Sequence, residues 1–189
     1  WDIEEYIEKL DLKQITTVLR PVSYFENFEN ILPRYTISKK IFPGIVGKNF
    51  KWQTIAVEDI GKWVRGVLTK QEKYKNQSIN IAGEELTGLE MAMTLQGIVS
   101  SVGLKTNYLM IPRVAIKLLE YDIGMMADWI ERSGYGADMN KLKMIQNDLN
   151  IFPTSLKDWL KAKLEQQNKT RKSWSSHWEA SQWELQLDK

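Results

Sequence analysis

The chain has 189 residues, with 26 basic and 24 acidic side chains and a net charge of +2, a balance that gives no ground for a nucleic-acid partner or a charged membrane surface. It contains no cysteine and one histidine, His177. Disulfides, thiolate metal sites and a cysteine nucleophile are therefore excluded, and a histidine-based zinc site or a Ser/His dyad has too few imidazoles.

The length suits one domain with a proper core, and 43% hydrophobic with 26% charged residues is an ordinary globular balance. No apolar run approaches the roughly 20 residues of a membrane span, and no signal peptide is visible. These features predict a soluble, cytoplasmic protein.

Residues 2–10 place Ile3, Tyr6, Ile7 and Leu10 on one helical stripe, with acids and Lys9 opposite. This reads as the end of a helix packed on a sheet, starting in mid-element with no N-cap. Residues 15–19 are β-branched and apolar, which fits a buried strand. That strand has no partner before it, although parallel strands need neighbours, and Pro21 stops it because proline has no N–H for the ladder. Residues 26–35 predict a helix with Phe25, Phe28, Ile31 and Leu32 inward and Pro33 breaking it. Residues 36–50 read as a turn-rich loop with short strands.

Residues 53–57 predict a strand and 60–70 a helix, with Ile60, Val64, Val67 and Leu68 as its buried stripe. Asp59 suits the positive end of that helix as a cap. A polar loop over 70–77 leads to a second parallel-type strand at 78–81. Residues 82–87 then enter a helix at 88–102, with Leu89, Ala92, Met93 and Val99 inward. A strand over 106–111 ends at Pro112, and helices follow over 113–121 and 122–132. The stripe of Ile123, Met125, Met126, Trp129 and Ile130 on the second of these is core packing or, failing that, a pliable lid over a substrate pocket. A glycine-containing loop (133–137) and helices at 140–149 and 155–164 complete the folded part. Past Lys163 the composition turns polar and basic, then carries Trp174, Trp178 and Trp183. Residues 164–189 read as a disordered tail, or as an amphipathic helix that docks on a protein partner through its tryptophans.

Several motifs carry a resemblance. They are Ile3-Glu4-Glu5-Tyr6-Ile7, Thr17-Val18-Leu19-Arg20-Pro21 with Phe25-Glu26-Asn27, and Ile55-Ala56-Val57-Glu58-Asp59-Ile60-Gly61. Further on come Glu72-Lys73-Tyr74, Ala82-Gly83-Glu84-Glu85-Leu86-Thr87 and Leu156-Lys157-Asp158-Trp159-Leu160. In order and spacing this set resembles the NmrA-like family, atypical short-chain dehydrogenase/reductase proteins whose Rossmann domain binds NADP(H) or NAD(H). The resemblance covers residues 1–163. It implies an α/β fold: the C-terminal part of a Rossmann-like parallel sheet plus a small α/β substrate-binding subdomain. It also implies that a nucleotide-binding N-terminal half lies upstream of Trp1, with the family's active-site lysine at or just ahead of that residue. No G-x-x-G-x-x-G turn occurs in the chain, and the residues that would separate NADP from NAD fall outside it.

By the same resemblance, Pro21, Val22, Ser23 and Tyr24 run along a nicotinamide ring, with backbone groups of Val22 and Ser23 near its carboxamide. Tyr24 and Phe25 wall the substrate side, Asn27 fixes the loop or points into the pocket, and Met125 with Trp129 supplies a lid. A loop past the carboxyl end of a strand is where an α/β sheet binds ligands. The competing reading of Phe25 and Phe28 is core packing under a loop. Arg20 is expected to hold the loop through a carboxylate, Asp59 to cap a helix, and His177 to lie on the surface. Neither Tyr6 nor Tyr24 belongs to a Y-x-x-x-K pattern. The function implied is hydride transfer to a small carbonyl, quinone or conjugated substrate. The alternatives are a non-catalytic NADP(H) sensor that controls a protein partner, or a scaffold subunit.

Overall fold

The computed structural model describes residues 2–28, 41–99 and 107–177, without the side chains of 41, 99 and 167–177. Its elements in order are α1 (Asp2–Lys9), β1 (Thr17–Pro21), β2 (Ser23–Tyr24), β3 (Ile41–Gly44), β4 (Lys51–Ile55), α2 (Val57–Thr69), α3 (Gln71–Tyr74), β5 (Gln77–Ile81), β6 (Glu84–Thr87), α4 (Gly88–Val99), β7 (Asn107–Met110), α5 (Arg113–Leu119), α6 (Tyr121–Ser133), α7 (Met139–Leu149) and α8 (Leu156–His177). The α/β class expected from the sequence is present. The second half of the helix predicted over 26–35, with Pro33, lies outside the described residues; its start is a 3-10 turn, Phe25–Phe28. Trp178, Trp183 and the side chains of Trp174 and His177 also lie outside them.

Three small sheets form. β1 pairs with β5 in parallel, from Thr17 opposite Gln77 to Pro21 opposite Ile81. β4 lies between β2, parallel to it, and β6, antiparallel. β3 pairs with β7 in parallel. Thus β1 finds its neighbour after itself in sequence, in the strand predicted at 78–81. β1 ends at Pro21, as expected, with one further bond to β5 beyond it. Val22 N–H donates to Ile81 O at 3.2 Å, and alternation along the strand turns the donorless nitrogen of Pro21 the other way. Two residues on, the chain changes partner from β5 to β4.

Two apolar clusters make the core. Val22, Ile55, Trp63, Val67, Ile79, Ile81, Leu142 and Leu149 gather β5 against α2 and α7. Phe25, Phe28, Phe42, Trp52, Met91, Leu95, Ile130 and Trp159 gather the other strands against α4, α6 and α8. Tyr135 packs on both clusters.

Several predicted stripes are rotated. On α2 the buried positions are Asp59, Trp63, Gly66 and Val67, whereas Val64 and Leu68 are exposed. The spacing is still helical, but both faces carry apolar residues, and the one holding Trp63 is chosen. On α4, Met91, Ala92 and Leu95 are buried while Leu89 and Met93 face solvent. On α6 the buried residues are Gly124, Ala127 and Ile130, so the stripe of Ile123, Met125, Met126 and Trp129 is not core. Small residues let α6 close on α5: a Cβ on Gly124 would lie 2.4 Å from the Lys117 side chain. No face of α1 is buried either, with Ile3 and Tyr6 exposed. The polar loop expected over 70–77 contains α3, whose Tyr74 is buried and donates to Asp148 Oδ2 at 2.7 Å. Finally, α8 runs as one helix through the boundary placed at 163.

Candidate functional site

The turn from Pro21 to Asn27 is held from three sides. β2 locks Ser23 and Tyr24 beside Thr54 and Ile55 of β4. Below the turn, the Phe25 ring is fully buried against Trp159, centroids 5.7 Å apart. Glu26 completes the anchorage, because its carboxylate accepts the backbone N–H of Val57 and the indole N–H of Trp159, each at 3.1 Å. One side chain thereby ties the turn to the first residue of α2 and to α8. Phe28 packs on Phe42 and edge-on to Trp52. Phe25 and Phe28 are thus core aromatics under the turn, not walls of an open cleft. Arg20 donates a bidentate pair of bonds to Glu4 and holds that carboxyl below its usual range, the role expected of it.

Asp59 is not a cap. The residue before α2 is Ala56, which offers no side-chain bond. Asp59 instead is fully buried and accepts from Thr154 N (2.7 Å), Thr154 Oγ1 (2.9 Å) and Lys62 Nζ (2.5 Å). It fastens α2 to the segment before α8, away from the turn.

Among the other sequence-predicted site residues, Val22 and Ser23 are buried, Pro21 and Tyr24 half-buried, and Asn27 exposed. The Asn27 amide donates to Ser23 Oγ at 3.4 Å. Met125 and Trp129 are 45% and 48% exposed on the outer stripe of α6. The structure brings Trp129 toward the turn through a residue the sequence reading passed over. The edge of Trp129 meets Tyr135 at 5.3 Å and 78°, and the phenol oxygen of Tyr135 lies beside the Ser23 hydroxyl and the indole N–H of Trp52. Burial raises the Tyr135 pKa and those two donors oppose the rise, so the phenol is protonated at neutral pH. Met125 sits one turn earlier on α6.

The turn that carries Tyr135 is built for one conformation. Gly134 and Gly136 have φ of 63° and 65°, a region only glycine adopts freely. Gln53 clamps the segment, donating to Ala137 O at 2.6 Å and accepting from Ala137 N at 3.1 Å. Asn80 Nδ2 donates to Tyr135 O at 3.1 Å. Arg113 braces α6 from below, pairing with Asp128 (2.8 Å) and Glu131 (2.7 Å) and donating to Ile45 O. The only sequence signal for Tyr135 was its place between two glycines.

A cavity of about 180 Å³ opens under this turn, lined by Phe50, Trp52, Ile130 and Tyr135 and edged by Lys51 and Glu85. Trp52 Nε1 and Thr54 Oγ1 are buried without a hydrogen-bond partner. None of the residues of the Pro21–Asn27 turn, nor Met125 or Trp129, is among those that line this cavity.

Similar folds occur in solved structures. Triphenylmethane reductase from Citrobacter sp., solved with NADP(H), has a TM-score of 0.65 at 18% identity, over 84% of this chain and 56% of that one. An NADPH-dependent quinone oxidoreductase from Escherichia coli gives 0.61 at 19% identity, over 86% of this chain and 60% of that one. NmrA, a negative transcriptional regulator solved with NADP, gives 0.58 at 14% identity, over 83% and 54%. At these identities the likeness is one of fold, and this chain spans little more than half of each of those proteins. No curated protein matches the chain by sequence. Among the described residues no helix is long and apolar enough to cross a membrane. The model of the NmrA-like family matches residues 1–174, and the chain belongs to the NmrA-like family.

Proposed function

We propose that this chain supplies the nicotinamide- and substrate-facing wall of an NAD(P)H-dependent reductase acting on a small carbonyl, quinone or conjugated acceptor. The observation that carries the reading is the turn at the carboxyl end of β1, with Ser23 buried beside Tyr135 and Trp129 behind it. Its donors are neutral: the Ser23 hydroxyl, the Asn27 amide and the Tyr24 phenol. Such a set fits a nicotinamide carboxamide, and no glycine-rich diphosphate cradle exists among the described residues. Pro21, Val22, Ser23 and Tyr24 would hold the ring, backed from the core by Phe25. Asn27, Met125 and Trp129 would meet the substrate, the last two shielding it from water. When bound, the dinucleotide supplies the hydride; the protein's share is orientation and a dry pocket.

Two relatives in fold are a triphenylmethane reductase solved with NADP(H) and an NADPH-dependent quinone oxidoreductase, and a third is a transcriptional regulator solved with NADP. The regulator keeps a second reading open: nucleotide binding that controls a protein partner without turnover. A titration of the whole gene product with NADPH and NADH, followed by tryptophan fluorescence, tests both. Saturable binding is expected, weakened roughly threefold by Ser23→Ala through one lost hydrogen bond. Cofactor oxidation by a panel of quinones and enals would then support the reductase. Binding without any turnover favours the regulator, and absence of binding ends both.

A further inference from the structure

The hairpin of α5 and α6 leaves apolar side chains outside the core. α5 turns Ile116 inward and α6 turns Gly124, Ala127 and Ile130 inward. The two helices close on each other where Lys117 meets Gly124. Away from those faces, Val114 and Leu118 are 71% and 81% exposed, Tyr121 is 63% exposed, and Met125 and Trp129 follow at 45% and 48%. The last three recur every fourth residue, so they form one outward stripe along α6. At these fractions the five side chains present on the order of 500 Å² of apolar surface, near the top of the range, roughly 300–600 Å², for the largest patch on a monomer. With a charged rim added, this approaches the roughly 800 Å² that each partner gives to a standard interface.

The charges around the stripe select its partner. Asp122 in the first turn of α6 and Arg132 in its last are both exposed, and neither has an ion pair among the described residues. Arg132 acts on Asp128 through its charge alone, because Arg113 and Lys117 already hold that carboxylate. Around the helix the two charges lie about 80° apart, both on the outward side, and along it about 15 Å apart. Now let two α6 helices meet antiparallel about a two-fold axis. The register that sets Asp122 against Arg132 of the second copy also sets Met125 against Trp129, since both pairs are centred on position 127. Symmetry makes each contact occur twice. Carboxylate on guanidinium and sulfur on indole are both favourable, so one helix carries both halves of its own complement. We propose that this face is an interface between two copies of the protein, with the α6 helices antiparallel, Met125 against Trp129 and Asp122 paired with Arg132 across the axis. The contact closes the outer side of Met125 and Trp129, which by themselves are too exposed to keep water from a substrate. That consequence alone rests on the reductase reading.

Sedimentation equilibrium of the whole gene product, without nucleotide, tests the interface. A species of twice the chain mass is expected to accumulate over roughly 1–100 µM. Arg132→Glu sets like charges opposite each other at both ends of the contact and should weaken the dimer roughly tenfold. Adding Asp122→Arg to that variant restores opposite charges in exchanged places. It should recover most of the lost affinity, which repair of a folding defect would not explain. A gene product that keeps the mass of one chain throughout overturns the proposal, and so does a dimer indifferent to Arg132→Glu. A double variant no tighter than Arg132→Glu alone overturns the antiparallel register. NADPH titration of the same samples keeps the two readings apart. Nucleotide binding by a monomer removes only the interface, and a dimer that binds no nucleotide removes only the reductase.

Discussion

Asp59 and Glu26 show how much a single carboxylate settles in this fold. Asp59 was visible in the sequence as an acid near the start of a helix, where it reads as an electrostatic cap, and Glu26 only as part of a family-like motif. In the folded chain both reach across long sequence gaps, Asp59 to Thr154 and Glu26 to Trp159. Asp59→Ala leaves the Thr154 N–H and the Lys62 ammonium without their buried acceptor. The expected loss is roughly 3 kcal/mol of unfolding free energy, read from urea denaturation, with the denaturant slope unchanged. Glu26→Ala strands the Trp159 indole N–H, which is buried, and should cost roughly 1–3 kcal/mol. It should also loosen the Pro21–Asn27 turn, so nucleotide affinity falls together with stability. Arg20 was read correctly from sequence as the partner of a carboxylate, because a charged side chain at a strand end has few other ways to be satisfied.

Among the elements, helix existence was legible and helix rotation was not. α2 was expected where it lies, yet its buried face is the one with Trp63 and Gly66. Two glycines on this helix make the orientation measurable. A Cβ on Gly61 would meet nothing within 4 Å, whereas one on Gly66 would lie 3.1 Å from Leu149 Cβ and 3.2 Å from Ile151 Cδ1. Gly61→Ala should therefore stabilise by roughly 0.5–1 kcal/mol, since alanine loses less backbone entropy in a helix. Gly66→Ala should cost roughly 1–3 kcal/mol through overpacking against Leu149 of α7 and Ile151 beyond it. If thermal melting shows both substitutions stabilising, α2 is rotated from the orientation described here. The α6 stripe teaches the same lesson: methionines and a tryptophan at helical spacing look like core, but Gly124 meets Lys117 of α5 while Met125 and Trp129 stay half exposed.

For the molecule as a whole, the joint between α3 and α7 is one place where stability is tied to pH. Lys73 first, then Tyr74 and Lys70, hold the Asp148 carboxyl well below its ordinary value of 3.8. A depressed carboxylate stabilises the folded state above that ordinary value, and the contribution fades as the pH falls through the depressed one. Tyr74 is shifted the other way. Burial foremost, with Asp148 beside it, pushes its phenol from 10 to about 12. Its contribution is complete below pH 10 and disappears as the pH rises toward 12. Chemical denaturation across pH should show both limbs. Asp148→Asn should flatten the acid limb and only narrow the alkaline one, because burial of Tyr74 persists. An unchanged acid limb in that variant would show that other carboxylates set it.

The sequence by itself determined the family, the α/β class, the order of most elements and the turn after β1, because periodicity, proline and local motifs are properties of neighbouring residues. By resemblance it also singled out Ser23 and Trp129 as candidates for the site. Tertiary structure alone decided which face of each helix is buried, that Phe25 and Phe28 are core, and that Asp59 is a clamp. It alone brought Tyr135, between two glycines with positive φ, against Trp129 and onto both core clusters. Those outcomes depend on which distant surfaces meet, and on where a buried polar atom finds its partner, which local spacing does not encode.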